Sequence, residues 1–176
     1  MRPVGICVES INQDRLLSIS KVQDHVKDYK KLLCRLEDYG IYYSLNFLFG
    51  LDDDTPDGFD KTLQFLHEVK APEAFFNTVT PRRGTLMRAK LEAEDRVIVP
   101  DADQYTNNFV CMFIPKNMTP RQVEEGVWRC TKTFYSFRSM FKRLLWPPRK
   151  YTRQGLTENM LFWYGAKKHI DPVDYY

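Results

Sequence analysis

IYYSLNFLFGLDDDTPDGFDKTLQFLHEV, residues 41–69, decides the fold class. Ile41–Phe49 is apolar, aromatic and uncharged, as a buried strand is. Gly50 closes it, and an acidic loop leads to Thr55-Pro56. Thr as N-cap with Pro in the first helical position predicts a helix start there. Phe59, Leu63, Leu66 and Val69 then return at spacings of four, three and three, which puts them on one helix face. Upstream, Val4–Val8 reads as a buried strand ending at Glu9-Ser10. Val22, Val26, Tyr29, Leu33 and Leu36 predict an amphipathic helix, with Gly40 as its C-cap. Downstream, Ala74–Thr80 predicts a third strand, Pro81–Gly84 a turn, and Leu86–Ala93 a short helix. Strand–helix repeats with connections of this length mean parallel pairing by right-handed crossovers. The class is α/β. Three parallel strands alone leave two bare edges and faces that need cover.

The remaining chain reads as mostly helical. Phe109–Ile114 is a candidate extra strand. Thr119-Pro120-Arg121-Gln122 is a capping box with Pro at the first helical position. From it Val123, Val127, Cys130, Phe134, Phe137, Phe141 and Leu144 run at three/four spacing, predicting one long helix to Leu145 with that stripe on the core. Trp146-Pro147-Pro148 stops it, and Thr157–Lys168 predicts one more helix. The organisation expected is therefore a strand–helix part over 1–96 and a helical extension over 97–176.

The 176 residues are 43% hydrophobic and 28% charged, which excludes disorder and fibrous repeats. With 26 Lys and Arg against 23 Asp and Glu, the net charge is only +3. That makes nucleic acid an unlikely partner, although between Gly126 and Thr157 there are eight cations and no acid. Aromatics interleave those cations, so this stretch is expected to pack its apolar stripe inward and to offer a basic face to an anionic membrane surface. Cys7, Cys34, Cys111 and Cys130 form no CxxC pair, and His25, His67 and His169 are scattered, so no local metal site is expected. The acidic triplet Asp52-Asp53-Asp54 lacks the offsets of a calcium loop and reads as a solvated loop at a helix N-terminus. Walker, dinucleotide and nucleophile-elbow motifs are missing. No apolar run approaches a membrane span or a signal sequence, so a soluble, cytoplasmic, at most membrane-peripheral protein is expected.

Three strand ends carry more than fold. GICVESINQDRLLSISK (5–21), NFLFGLDDDTPDGFDKTLQFL (46–66) and TVTPRRGTLMRAKLEAEDR (78–96) occur in that order. Together they resemble the second half of the barrel of radical SAM enzymes. The resemblance is to the cobalamin-binding branch, with its "G-F-E-S/T-I-N-Q" and "F-G-F-D-x-D-T" strand ends and its "T-P-x-P-G-T" turn. The extension of that branch is similar to this chain from about Tyr105 through PKNMTPRQVEEG (115–126) to FYSFRSMFKRL (134–144). The family's CxxxCxxC cluster ligands and its cobalamin domain have no counterpart here, and Arg83 replaces the second proline of the turn. A whole (β/α) barrel needs roughly 200 residues. The resemblance thus implies a partial TIM-type barrel, a chain that begins partway through its parent, and a missing N-terminal barrel half in the same parent chain or a separate subunit.

By the same resemblance, S-adenosylmethionine would sit at the C-terminal strand ends. Glu9, with Ser10 beside it, would take the ligand's ribose or amino acid portion. Lys21 would pair with its carboxylate and Asn46 would contact its ribose. Gly50 and the turn holding Thr80, Pro81 and Gly84 would let backbone approach the adenine. The plain alternatives are a loop carboxylate at Glu9, a surface lysine at Lys21, a backbone-satisfying amide at Asn46 and ordinary turn glycines. The intact parent would hold a [4Fe–4S] cluster and cobalamin. It would generate a 5′-deoxyadenosyl radical, abstract hydrogen from an unactivated carbon and transfer a methyl group or carry out related radical chemistry. This chain alone is expected to be inactive. The competing expectation is a non-catalytic interaction module built on the basic aromatic helix, at a membrane surface or nucleic acid.

Overall fold

A computed structural model describes residues 3–11, 26–100, 109–146 and 148–168. Strands β1 (Val4–Glu9), β2 (Tyr43–Phe49) and β3 (Glu73–Thr78) form one parallel sheet in the order β1-β2-β3. Six α-helices accompany it among the described residues: α1 (Val26–Tyr39), α2 (Asp57–Glu68), α3 (Leu86–Ala93), α4 (Pro120–Phe134), α5 (Phe137–Met140) and α6 (Thr152–Lys168). The class is mixed α/β, with helices filling both strand-to-strand connections. None of the described helices is long and apolar enough to cross a membrane.

The sheet's two faces differ. Tyr43, Leu45, Phe47 and Phe49 alternate along β2 and are all buried, as period-two patterning requires. They join Phe76 of β3 in a core with Phe59, Leu63 and Leu66 of α2 and Val127 and Phe134 of α4. Phe49 stacks on Phe59 at 4.5 Å, and Phe76 meets Phe134 edge-on at 5.7 Å. Helix α4 comes this close to α2 because position 126 is glycine: a Cβ there would lie 2.3 Å from the Phe59 ring. The opposite face carries Gly5 and Cys7, then Ser44, Asn46 and Leu48, then Phe75 and Asn77, in register. Gly5 and Cys7 are exposed, and Asn46, Leu48 and Asn77 are only half-buried. Phe162 of α6 covers Phe75 edge-on at 5.4 Å.

Several local expectations are corrected. Thr55 is not the N-cap of α2: Pro56 holds that place with helical φ −56° and ψ −28°, and the Thr55 hydroxyl donates to Asp57 Oδ1 instead. Phe109–Ile114 is no strand, making a single antiparallel bridge from Phe113 to Val97. Its first backbone groups are claimed by side chains, since Thr78 Oγ1 donates to Val110 O and Cys111 N donates to Glu124 Oε1, and only Met112 O and Ile114 N pair with the 96–99 backbone. The long helix expected to Leu145 breaks after Phe134. Tyr135 is turned inward, where its hydroxyl donates to Ala74 O at 2.8 Å, and Ser136, extended at ψ 150°, caps a new turn through Ser139 N. A π-helical turn over Phe141–Leu145 follows. The break rotates Phe137 and Phe141 off the core stripe, leaving them 57% and 59% exposed. Helix α6 starts at Thr152 rather than Thr157, since Thr152 Oγ1 accepts from Arg149 N and donates to Leu144 O.

Candidate functional site at the strand ends

Parallel strands bring their C-terminal ends to one rim, and here that rim carries Glu9, Gly50 and Thr78–Thr80. The register of β1 on β2 slips between Cys7 and Glu9, a bulge. Ser10 N then donates to Val8 O at 2.7 Å, closing a three-residue turn about Glu9, whose φ is +61°. A non-glycine residue held in that region is uncommon and costs backbone energy. The turn aims the end of β1 toward the start of α2. Between them lies a cavity of about 320 Å³, at the lower end of the ligand-pocket range. Glu9, Ser10 and Ile11 form one wall, with Phe49 beside them. Asp53, Asp54 and Thr55 form the loop wall, and Gly58, Lys61 and Thr62 the helix wall.

The cavity is richer in carboxylates than in cations, and its ammonium, on Lys61, is paired with Asp57. Carboxylates accept from vicinal hydroxyls and from ammonium groups, so this acceptor-rich lining suits a polar, partly cationic ligand. Asp54 also shapes the loop: its Oδ2 accepts from Gly50 N at 2.8 Å and Leu51 N at 3.0 Å. The acidic triplet is therefore not a uniformly solvated loop. Asp52 pairs with Arg96 through both terminal guanidinium nitrogens, with Lys90 and Lys116 nearby, and the Arg96 hydrogen bonds hold its carboxyl below the usual range. Of the three, Asp53 is the exposed one.

The structure brings Glu9 and Ser10 together at the cavity. Asn46 sits on the half-open sheet face, level with the exposed Cys7 of β1 and diagonal to Gly5, where a Cβ would lie 3.8 Å from its amide nitrogen. Gly50 has φ +103°, and a Cβ there would meet Val123 Cγ1 at 3.4 Å, so it faces the extension. Thr80 is half-buried and Pro81 buried at the end of β3. Gly84 has φ +78° with open space around it, in the turn where Thr85 caps α3. Lys21 lies outside the described residues. Reasoning from strand ends alone missed Lys61 and Thr62, which the helix after β2 contributes, and Asn77, which β3 places two strands from Cys7 on the half-open face. A polar residue in the middle of Ala74–Thr80 was the available signal for Asn77.

No group of three His, Cys, Asp or Glu among the described residues has the arrangement to hold a metal ion. Burial pushes the Cys111 thiol up to about 11 and the Cys130 thiol up to about 12, which keeps both neutral and poorly nucleophilic.

No protein-family model matches the chain. Among curated proteins it is similar to a bacteriochlorophyllide d C-12(1)-methyltransferase of Chlorobaculum tepidum, 28% identical over 145 residues. The aligned part is 82% of this chain and 31% of that enzyme, so the chain spans about a third of the length of the curated relative it matches. The similarity is thus to one portion of a methyltransferase.

Proposed function

We propose that this chain is the C-terminal part of a cobalamin-dependent radical SAM enzyme, with methyl transfer or a closely related reaction as its chemistry. In this reading, 1–96 is a partial TIM-type barrel and 97–176 its helical extension. One observation carries it: three adjacent parallel strands deliver the three family-like motifs to one rim, where a polar cavity opens at Glu9. The methyltransferase relative supports the class of chemistry.

S-adenosylmethionine, when bound, would supply the 5′-deoxyadenosyl radical or the methyl group in the intact parent, and this chain's part would be binding and orientation. Glu9 and Ser10 take the ribose hydroxyls or the ligand's ammonium, and Lys21 pairs with its carboxylate. Asn46 reaches the ribose from the half-open face. Thr80, Pro81 and Gly84 offer backbone to the adenine, and Gly50 serves through the turn it permits. A [4Fe–4S] cluster does not fit the described residues, whose cysteines are separated and in two cases buried, and the cobalamin domain of the resembled branch has no counterpart in this sequence. Both groups are assigned to the rest of the parent protein. In this reading its missing barrel half would pair with the edge of β1, whose outer side has no neighbouring strand among the described residues. The alternative reading, an interaction module, is favoured by the exposure of Phe137 and Phe141.

Calorimetry of the 176-residue chain with S-adenosylmethionine tests the main reading. The half-pocket is expected to bind weakly, and Glu9→Ala to weaken that binding by about tenfold, the value of one charge-assisted hydrogen bond. A folded, monomeric chain that binds no S-adenosylmethionine, alone or with the complementary barrel half, overturns it.

A further inference from the structure

A larger cavity, about 830 Å³, lies on the other side of α2, between its C-terminal turn and the segment running from α5 through the π-helical turn. Lys70, Arg138 and Lys142 supply its cations, and Phe141 and Trp146 its aromatic wall. Among the described residues lining it, Glu68 is the carboxylate, and it is already bound to Lys30 at 2.9 Å and Gln64 at 3.0 Å. Arg138 and Lys142 have no carboxylate partner among the described residues. The local field is positive enough to act on His67: burial first, then Arg143 and Lys142, hold its imidazole below its ordinary pKa.

The aromatic groups stand out beside these cations. Lys70 Nζ donates to Trp146 O at 3.1 Å, pinning the backbone while the indole remains 73% exposed. Phe137 and Phe141 lie one turn apart, 57% and 59% exposed, and alternate with Arg138 and Lys142 at the same spacing. The pattern continues onto α6, where the Phe137 ring lies 4.8 Å from Trp163 and Lys167 sits over that indole at 5.3 Å. Large exposed aromatics combined with unpaired cations match an interface that is apolar below and anionic above. Nucleic acid is less favoured, because the whole chain carries only +3.

We propose that this face docks on an anionic phospholipid surface, Arg138 and Lys142 taking headgroup phosphates while Phe137, Phe141 and Trp146 enter the interfacial layer. Neither element needs the strand-end cavity, so a chain that binds no S-adenosylmethionine leaves the membrane inference standing.

The test is sedimentation of the full 176-residue chain with phosphatidylcholine vesicles, with and without phosphatidylglycerol. Binding is expected to be at least about tenfold tighter to the anionic vesicles, as two phosphate-paired cations provide. The double variants Arg138→Glu with Lys142→Glu, and Phe137→Ser with Phe141→Ser, are each expected to lose about tenfold or more. Circular dichroism checks that both remain folded, as exposed positions allow. Equal binding to the two vesicle types, or binding indifferent to both variants, overturns the proposal. So does saturation by inorganic phosphate without vesicle binding, which assigns the groove to a soluble anion. Self-association lost in Phe137→Ser with Phe141→Ser, again without vesicle binding, assigns the face to a second copy and overturns it too.

Discussion

Glu73 opens β3 with its side chain buried at 3% exposure, accepting from the Tyr42 hydroxyl at 2.6 Å. Burial pushes its carboxyl up to about 7; the Tyr42 hydrogen bond opposes this, and the nearby Glu158 adds to it. The folded pKa lies above the unfolded value, so the folded state keeps a proton that the unfolded state loses. Stability is therefore fullest below the unfolded pKa of about 4.5, falls as pH rises toward 7, and levels off above. The loss amounts to about 3 kcal/mol, taking about 1.4 kcal/mol per pKa unit. Glu73→Gln keeps the acceptor for Tyr42 and removes the charge. Urea melts of the variant should match the parent near pH 4 and exceed it by a few kcal/mol near pH 8. A difference that does not change with pH would sink this account. Gly126 is the other residue whose environment decides its value. Alanine there gains about 1 kcal/mol of helix propensity but drives a Cβ to 2.3 Å from the Phe59 ring, itself stacked on Phe49. A net loss of about 1–3 kcal/mol is expected, read as a lower Tm, whereas an unchanged or raised Tm would show that Phe59 yields freely. Neither residue was legible in the sequence as special. Glu73 begins a strand and Gly126 looks like a weak spot in a helix, and what makes each matter is a partner 31 and 67 positions away.

Among the elements, most of those fixed by local signals were legible, the Thr55 cap of α2 excepted, and those fixed by distant partners were not. The capping box at Thr119 is present in both halves: Thr119 Oγ1 accepts from Gln122 N, and Gln122 Oε1 accepts from Thr119 N. Thr119→Ala should cost about 1 kcal/mol, measurable by denaturant melting, and Thr119→Ser should restore most of it. Equal losses in both variants would mean that the methyl group's packing matters and the cap does not. Three strands, their crossovers and the motif-bearing rim were likewise readable, because period-two burial and turn residues are written locally. The break after Phe134 was not. The three/four spacing continues unbroken through Phe137 and Phe141, but Tyr135 gains two backbone hydrogen bonds with Ala74 of β3 that a continuous helix would forfeit. Once Tyr135 turns inward, Ser136 starts a new helix and the following aromatics face out. The same periodicity thus stands for core up to Phe134 and for surface beyond it. In the candidate site, Glu9 was legible as a strand end, but its cavity was not, since the opposing wall comes from a helix some 50 residues on.

For the molecule as a whole, the strand–helix part and the extension are joined through Arg143. Its side chain is 1% exposed with no carboxylate beside it among the described residues, and its donors are met by neutral oxygens. Nε donates to Ser139 Oγ, Nη1 to Ala71 O and Pro72 O, and Nη2 to Phe134 O and Asn159 Oδ1. One guanidinium thus ties the connection entering β3, the end of α4 and the middle of α6, with its carbon 3.5 Å from the Phe134 ring centre. Burial lowers its pKa to about 10, which still leaves it charged at neutral pH. Lysine has three donors and no planar fork, so Arg143→Lys keeps the charge but leaves carbonyls unmet. Arg143→Ala removes the charge and orphans several buried acceptors beside a new cavity. Losses of about 2 kcal/mol for lysine and about 3–5 kcal/mol for alanine are expected. They should not be spread evenly. Asn159 also donates to Pro72 O and Gly155 O, each at 2.9 Å, so α6 loses its deepest anchor with Arg143, while the strands keep their own ladder and α2. Hydrogen exchange should therefore show α6 amides losing protection well before those of β2 in Arg143→Ala. If α6 and β2 instead exchange together, in the variant as in the parent, the extension is held by its apolar contacts and Arg143 is not the tie.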